Sequence, residues 1–155
     1  MMSRVVVILG ALAMALSARA ADLKLEAKLI WGSNDPTNKV NHKLVEDPKL
    51  SADLHRIFKW ANYYEIYTKS ASIPHNKNDV LQMSDKCKLD VKNLGNNWIE
   101  VSCIGKGKQV SHGKHSVAPG QWLTLGGNDT NNSAWFVVMR NTSGGVQPTP
   151  VTKAH

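Results

Sequence analysis

The sequence is poor in the marks by which catalytic domains announce themselves. It has two cysteines and two phenylalanines in 155 residues. No H-E-x-x-H helix, no G-x-S-x-G elbow and no acidic pair at a telling spacing occurs, so zinc hydrolysis and serine-nucleophile chemistry are not indicated. Gly105-Lys106-Gly107-Lys108 is not a phosphate loop, because the wider glycine spacing, the following Ser or Thr and the following helix are missing. There is no internal repeat, and the length leaves no room for two cores of normal size, which excludes a multi-domain enzyme. The expectation is a non-catalytic domain without a cofactor or metal.

One long apolar run is present, and it lies at the start. Arg4, the apolar stretch Val5 to Leu16, and the small residues Ala18 and Ala20 around Arg19 together read as a secretory signal peptide over residues 1–20, cleaved after Ala20. The run is too short for a membrane helix, which needs about 20 residues. No cysteine follows closely enough to accept a lipid. The remaining chain is therefore expected to have no membrane span and to work in the periplasm or outside the cell, with an uncleaved anchor as the alternative.

Export gives the cysteines a meaning, since an oxidising compartment lets an even number of thiols pair. Cys87 and Cys103 are expected to form a disulfide worth about 3 kcal/mol, two free buried thiols being the alternative. Cys87 to Leu94 and Trp98 to Ile104 read as a hairpin around Gly95-Asn96-Asn97. A register with Cys87 opposite Cys103, Leu89 opposite Val101 and Val91 opposite Ile99 puts the disulfide on the apolar face. The same register sets Lys92 beside Trp98 but also Asp90 against Glu100, which counts against it.

Elsewhere, Asp22 to Gly32 alternates as a half-buried strand, with Leu23, Leu25, Ala27, Leu29 and Trp31 on one side. Asp47-Pro48 offers an N-cap and a first-turn proline for a short helix carrying Leu50, Leu54, Ile57 and Phe58. Trp60 to Pro74, Val80 to Ser84, Gln121 to Leu125 and Ala134 to Arg140 are further strand candidates, and Gly105 to Ser116 is either a long loop or a ragged edge strand. These features predict a mainly β fold, a small antiparallel β-sandwich or barrel of six to seven strands with one short helix. Residues 21–140 would form that domain and 141–155 an unfolded tail.

Lysine and arginine outnumber aspartate and glutamate by 19 to 12, giving a formal net charge of +7 that falls by two when Arg4 and Arg19 leave. Gly105 to Gly120 holds Lys106, Lys108, Lys114, His112 and His115 with no carboxylate, and the hairpin adds Lys86, Lys88 and Lys92. Such a face attracts polyanions, although lysines on strands also serve simply to keep edges from aggregating. His112 and His115 would point to opposite faces of a strand with Lys114 between them, so a metal site is not expected. Trp31 and Trp135 read as core, whereas Trp60, Tyr64, Trp98 and Trp122 are the candidates for exposed rings that stack on sugars. The candidate ligand residues are thus Lys106, Lys108, Lys114, His112, His115, Trp60, Trp98 and Trp122. The function expected is an exported binding domain for a glycan, a surface polymer (a polyanion) or an envelope protein, nucleic acid being disfavoured. A structural or assembly component of the envelope is the alternative, and a small secreted enzyme ranks third.

Overall fold

A computed structural model describes residues 21–35, 42–128 and 132–144. Residues 1–20, expected to be a signal peptide, and residues 145–155 of the expected tail lie outside the described residues. Nine strands and one helix occur among those described: β1 (Leu23–Ser33), β2 (Lys43–Leu44), α1 (Pro48–Ile57), β3 (Asn62–Ile73), β4 (Asn78–Ser84), β5 (Cys87–Gly95), β6 (Trp98–Gly105), β7 (Lys108–Ser116), β8 (Trp122–Asn128) and β9 (Ser133–Asn141). They form a five-stranded sheet, in the order β2-β3-β1-β9-β8, and a four-stranded meander, β4-β5-β6-β7, with antiparallel pairing throughout. The fold is a β-sandwich rather than a closed barrel.

Strand periodicity explains the layers. In β1, Leu23, Leu25, Ala27 and Leu29 point between the sheets, where they meet Leu81, Leu89, Val91, Val101, Val137 and Met139 in the main core. A bulge opposite Leu29 and Ile30 marks where the outer side of the same sheet becomes apolar. There Ile30, Phe136 and Val138 receive Leu50 and Leu54 of α1 in a second, smaller core. The helix begins as its sequence requires: the Asp47 carboxylate accepts from the Leu50 amide at 2.9 Å, and proline occupies the first turn. Arg140 fixes the helix start from below, donating to Glu26 at 2.8 Å and to Asp47 at 3.4 Å. On the neighbouring strand pair, Glu65 accepts from Lys28 at 2.9 Å and from Thr68 at 2.6 Å. Burial pushes the Glu65 carboxyl up, but these hydrogen bonds and the charges of Lys28 and Lys43 outweigh it and hold the group below its ordinary value.

Both connections that pass between sheets among the described residues, β3 to β4 and β7 to β8, lie at the same end of the sandwich. Each is held by a buried asparagine. Asn93 donates to the Ile73 carbonyl at 2.8 Å and accepts from the Gly95 amide at 2.8 Å. Asn141 donates to the Val117 carbonyl at 2.9 Å and accepts from the Ser143 amide at 2.8 Å. Asn141 is fully buried and ends β9, so it belongs to the domain and not to a tail.

The hairpin register differs from the expected one by two residues. Leu89 faces Cys103, Val91 faces Val101, and Cys87 faces Gly105. The cause is the turn: Asn96 and Asn97 both adopt positive φ (51° and 63°), which closes a two-residue loop on Gly95 and Trp98, with a bulge at Leu94. A two-residue shift keeps every apolar side chain inward. It also replaces the Asp90–Glu100 repulsion with Asp90 opposite Ser102 and Lys92 opposite Glu100.

The expected disulfide is thereby overturned. Cys87 and Cys103 are free, buried and diagonal to each other; diagonal positions sit roughly 7–8 Å apart, against a Cα separation of about 4.4–6.8 Å across a disulfide. The neighbouring Cys87 thiol, together with burial, pushes the Cys103 thiol far above its ordinary value. Unfolded protein should therefore titrate two thiols, and reductant should leave the melting temperature unchanged; loss of a crosslink worth about 3 kcal/mol would lower it by about 10 °C. A drop of that size would restore the disulfide.

Two further strands bring the count above the six to seven expected, and one of them decides between the two expectations for residues 105–116. β2 is only a two-residue edge. The basic segment forms β7, an edge strand and not a loop, and its exposed lysines suit an uncovered edge.

Candidate functional site

At the end of the sandwich away from the asparagine clamps, β1, β9 and two turns shape a cleft among the described residues. Trp31 and Trp135 face each other across the β1–β9 ladder. Their parity is that of Leu29 and Val137, so both rings lie on the inter-sheet side, half buried, with Trp135 packed against the main core. Trp31 is braced by Tyr64, with ring centroids 5.8 Å apart. Trp135 lies over Gly105, where an added Cβ would come within 2.8 Å of Trp135 Cζ2. Gly105 is thus required for space and not for backbone conformation.

The two turns supply charge. Lys86 ends the β4–β5 turn and Lys106 begins the β6–β7 turn, where Lys106 and Gly107 adopt φ values of 51° and 76°. The Lys106 amide donates to the Lys86 carbonyl at 2.7 Å, which fixes the two lysines side by side. Together with the indoles they border a cleft of about 410 Å³ floored by Leu29, Ile66 and Cys87, with Ser84 and His42 at its margin. Among the described residues no carboxylate lines it. A shallower depression of about 540 Å³ continues outward past Lys86, Cys87 and Lys106 to Lys88 and Asp85. A third hollow, of about 650 Å³, separates the end of α1 from the sheet beside Phe58, Trp60, Val110 and Phe136. It carries one cation, Lys59, and no paired indoles.

The residues singled out from sequence are dispersed. Lys106 borders the cleft and Lys108 opens β7 beside it, but Lys114 and His115 lie toward the other end of β7, opposite Glu100 and Ile99. His112 and Lys114 share the outer face, while His115 folds over Gly113 on the inner face, its Nε2 3.1 Å from where a Cβ would sit. Among the described residues no cluster of three metal-binding side chains occurs. Trp98 is 47% exposed, as expected for a free ring. Trp60 instead packs onto Gly32, and Trp122 lies 4.6 Å beneath the Arg140 guanidinium against the second core. Tyr64 is buried beside Trp31.

Trp31 and Trp135 are the site residues that sequence reasoning missed. Their positions within apolar alternation read as core. The available signal was their place at the ends of β1 and β9 that meet when the two strands pair.

A second arrangement is also absent from the sequence reading. Ser102 Oγ and His112 Nδ1 are 2.7 Å apart, with His112 Nε2 3.9 Å from Glu100 Oε1. The order resembles that of a serine hydrolase. The three residues stand on the open outer face of a sheet, however, and none of them lines the three hollows described above. Nothing there encloses a substrate or excludes water. The contact is a cross-strand hydrogen bond between facing residues.

No helix among the described residues is long and apolar enough to cross a membrane. No protein-family model, curated protein or solved structure matches the chain.

Proposed function

We propose that the chain is an exported, non-catalytic binding module that takes an anionic ligand, a glycan or surface polymer in the first instance, at the cleft end of the sandwich. The observation that carries this reading is the placing of Trp31 and Trp135 beside Lys86 and Lys106 around a cleft that no carboxylate of the described residues lines. Indole faces offer broad apolar contact to rings. The adjacent ammonium groups raise the local concentration of anions and orient them. Export rests on the leader reading of residues 1–20 and does not need a disulfide.

The test is titration of the purified chain with polygalacturonate at low and high salt. Affinity should fall severalfold as salt screens the lysines, and Lys86→Ala with Lys106→Ala should weaken binding about tenfold at low salt. Equal affinity for the double variant would remove the site from consideration.

One observation favours a second reading, that of an assembly component. The nine-residue edge of β7 has a neighbour on one side only, and such an edge can add a strand from another chain. A stable oligomer on sizing, with no anion binding, would select that reading.

A further inference from the structure

We propose that the cleft end of the sandwich binds a single-chain anionic amphiphile, with an alkyl or acyl chain between the sheets and a carboxylate or phosphate head on Lys86 and Lys106. This deepens the preceding reading and rests on it for the site and for the sign of the ligand's charge. The new element is the tail. The floor of the cleft is apolar: Leu29, Ile66, Cys87 and the inner faces of Trp31 and Trp135. The backbone groups of β1 and β9 below it are paired in their ladder. A sugar ring entering between the sheets would strip its hydroxyls of water and meet mainly apolar side chains, with Ser84, His42, the indole N–H groups and the rim lysines as the described side-chain partners, whereas a hydrocarbon chain loses nothing there.

The volume agrees. About 410 Å³ falls within the range of small-molecule sites, about 300–1,000 Å³. Below the indoles the main core is closed, with Ala27, Leu89 and Val137 fully buried. The cleft is therefore a blind slot open at the lysine rim, which suits a chain of medium length with one charged end. Lys86 and Lys106 sit on adjacent turns, so one head group reaches both, and Asp85 faces the outer depression instead of the slot.

Calorimetric titration of the purified chain with octanoate, decanoate and dodecanoate, each below its micelle concentration, tests this directly. Affinity should rise about fourfold per methylene until the slot is full. Dodecyl phosphate should bind as dodecanoate does, and a neutral dodecyl glycoside at least tenfold more weakly. Lys86→Ala with Lys106→Ala should lower the affinity for every anion while leaving the gain per methylene intact. Trp31→Ala should reduce that gain. A chain-brominated dodecanoate, which requires no variant, should quench the fluorescence of the unmodified protein, and Trp31→Phe with Trp135→Phe should abolish the quenching.

Three results would overturn the proposal. If polygalacturonate binds through Lys86 and Lys106 but chain length has no effect, the tail site is wrong and the binding module stands. If neither polygalacturonate nor any amphiphile binds, both fall. If the chain binds phosphatidylglycerol vesicles but no dispersed amphiphile, the source is a lipid surface and the slot is not used.

Discussion

Substitution of Asn141 by leucine is expected to destabilise the fold by about 3 kcal/mol, with a similar fall of about 2–3 kcal/mol for Asn93→Leu. Leucine keeps the branched four-atom side chain, so the main cost is polar, with some overpacking from its bulkier methyl groups. Asn141 is fully buried; its amide donates to Val117 O and, at 3.1 Å, to Asn97 Oδ1, and its oxygen accepts from Ser143 N. Asn97 and Ser143 reach water once released. The Val117 carbonyl, in a residue 1% exposed, does not, and it bears most of the penalty. At Asn93 the stranded groups would be the Ile73 carbonyl and the Gly95 amide. Urea denaturation should show the loss as a lower midpoint at unchanged slope. A change below about 1 kcal/mol at both positions would mean that the connections between sheets are held by backbone pairing alone.

Leu50→Ala should cost about 3–4 kcal/mol, and the damage should be local. Leu50 and Leu54 are the buried residues of α1, and the helix meets Ile30, Phe136 and Val138 through them. Removing Leu50 leaves a cavity beneath a ten-residue helix that cannot hold itself together in water. Amide exchange within α1 should accelerate far more than exchange in β5 and β6, the mark of a sub-global opening. Ile57→Ala is the control, since Ile57 is 53% exposed and its truncation should stay within about 0.5 kcal/mol. Equal effects at the two positions would show that the helix does not depend on this contact.

What could be read beforehand followed from local pattern. The alternation of β1 and the Asp47-Pro48 helix start are each specified by neighbouring residues, and both occur as expected. The cysteine pairing depended on a longer-range quantity. Facing is set by period two, so a two-residue slip satisfies the apolar pattern equally well, and the choice fell to the positive-φ pair Asn96-Asn97. β7 carried no periodic signal, because both faces of that edge strand are partly wet. Trp31 and Trp135 lie in the same alternating pattern as the core residues beneath them. Only the pairing of β1 with β9 shows that they form one rung, a single inward-facing step short of the buried Ser33–Ser133 pair that ends the ladder. Asn93 and Asn141 resemble turn residues in composition, and their burial depends on partners distant in sequence: 20 positions for Asn93 and 24 for Asn141.

With both connections at one margin, the two sheets are like leaves stitched along a single spine. Parting them at the fore-edge breaks no covalent path and removes no strand from its ladder, so a guest can slide in while the molecule stays folded. Among the described residues, side-chain packing resists that motion.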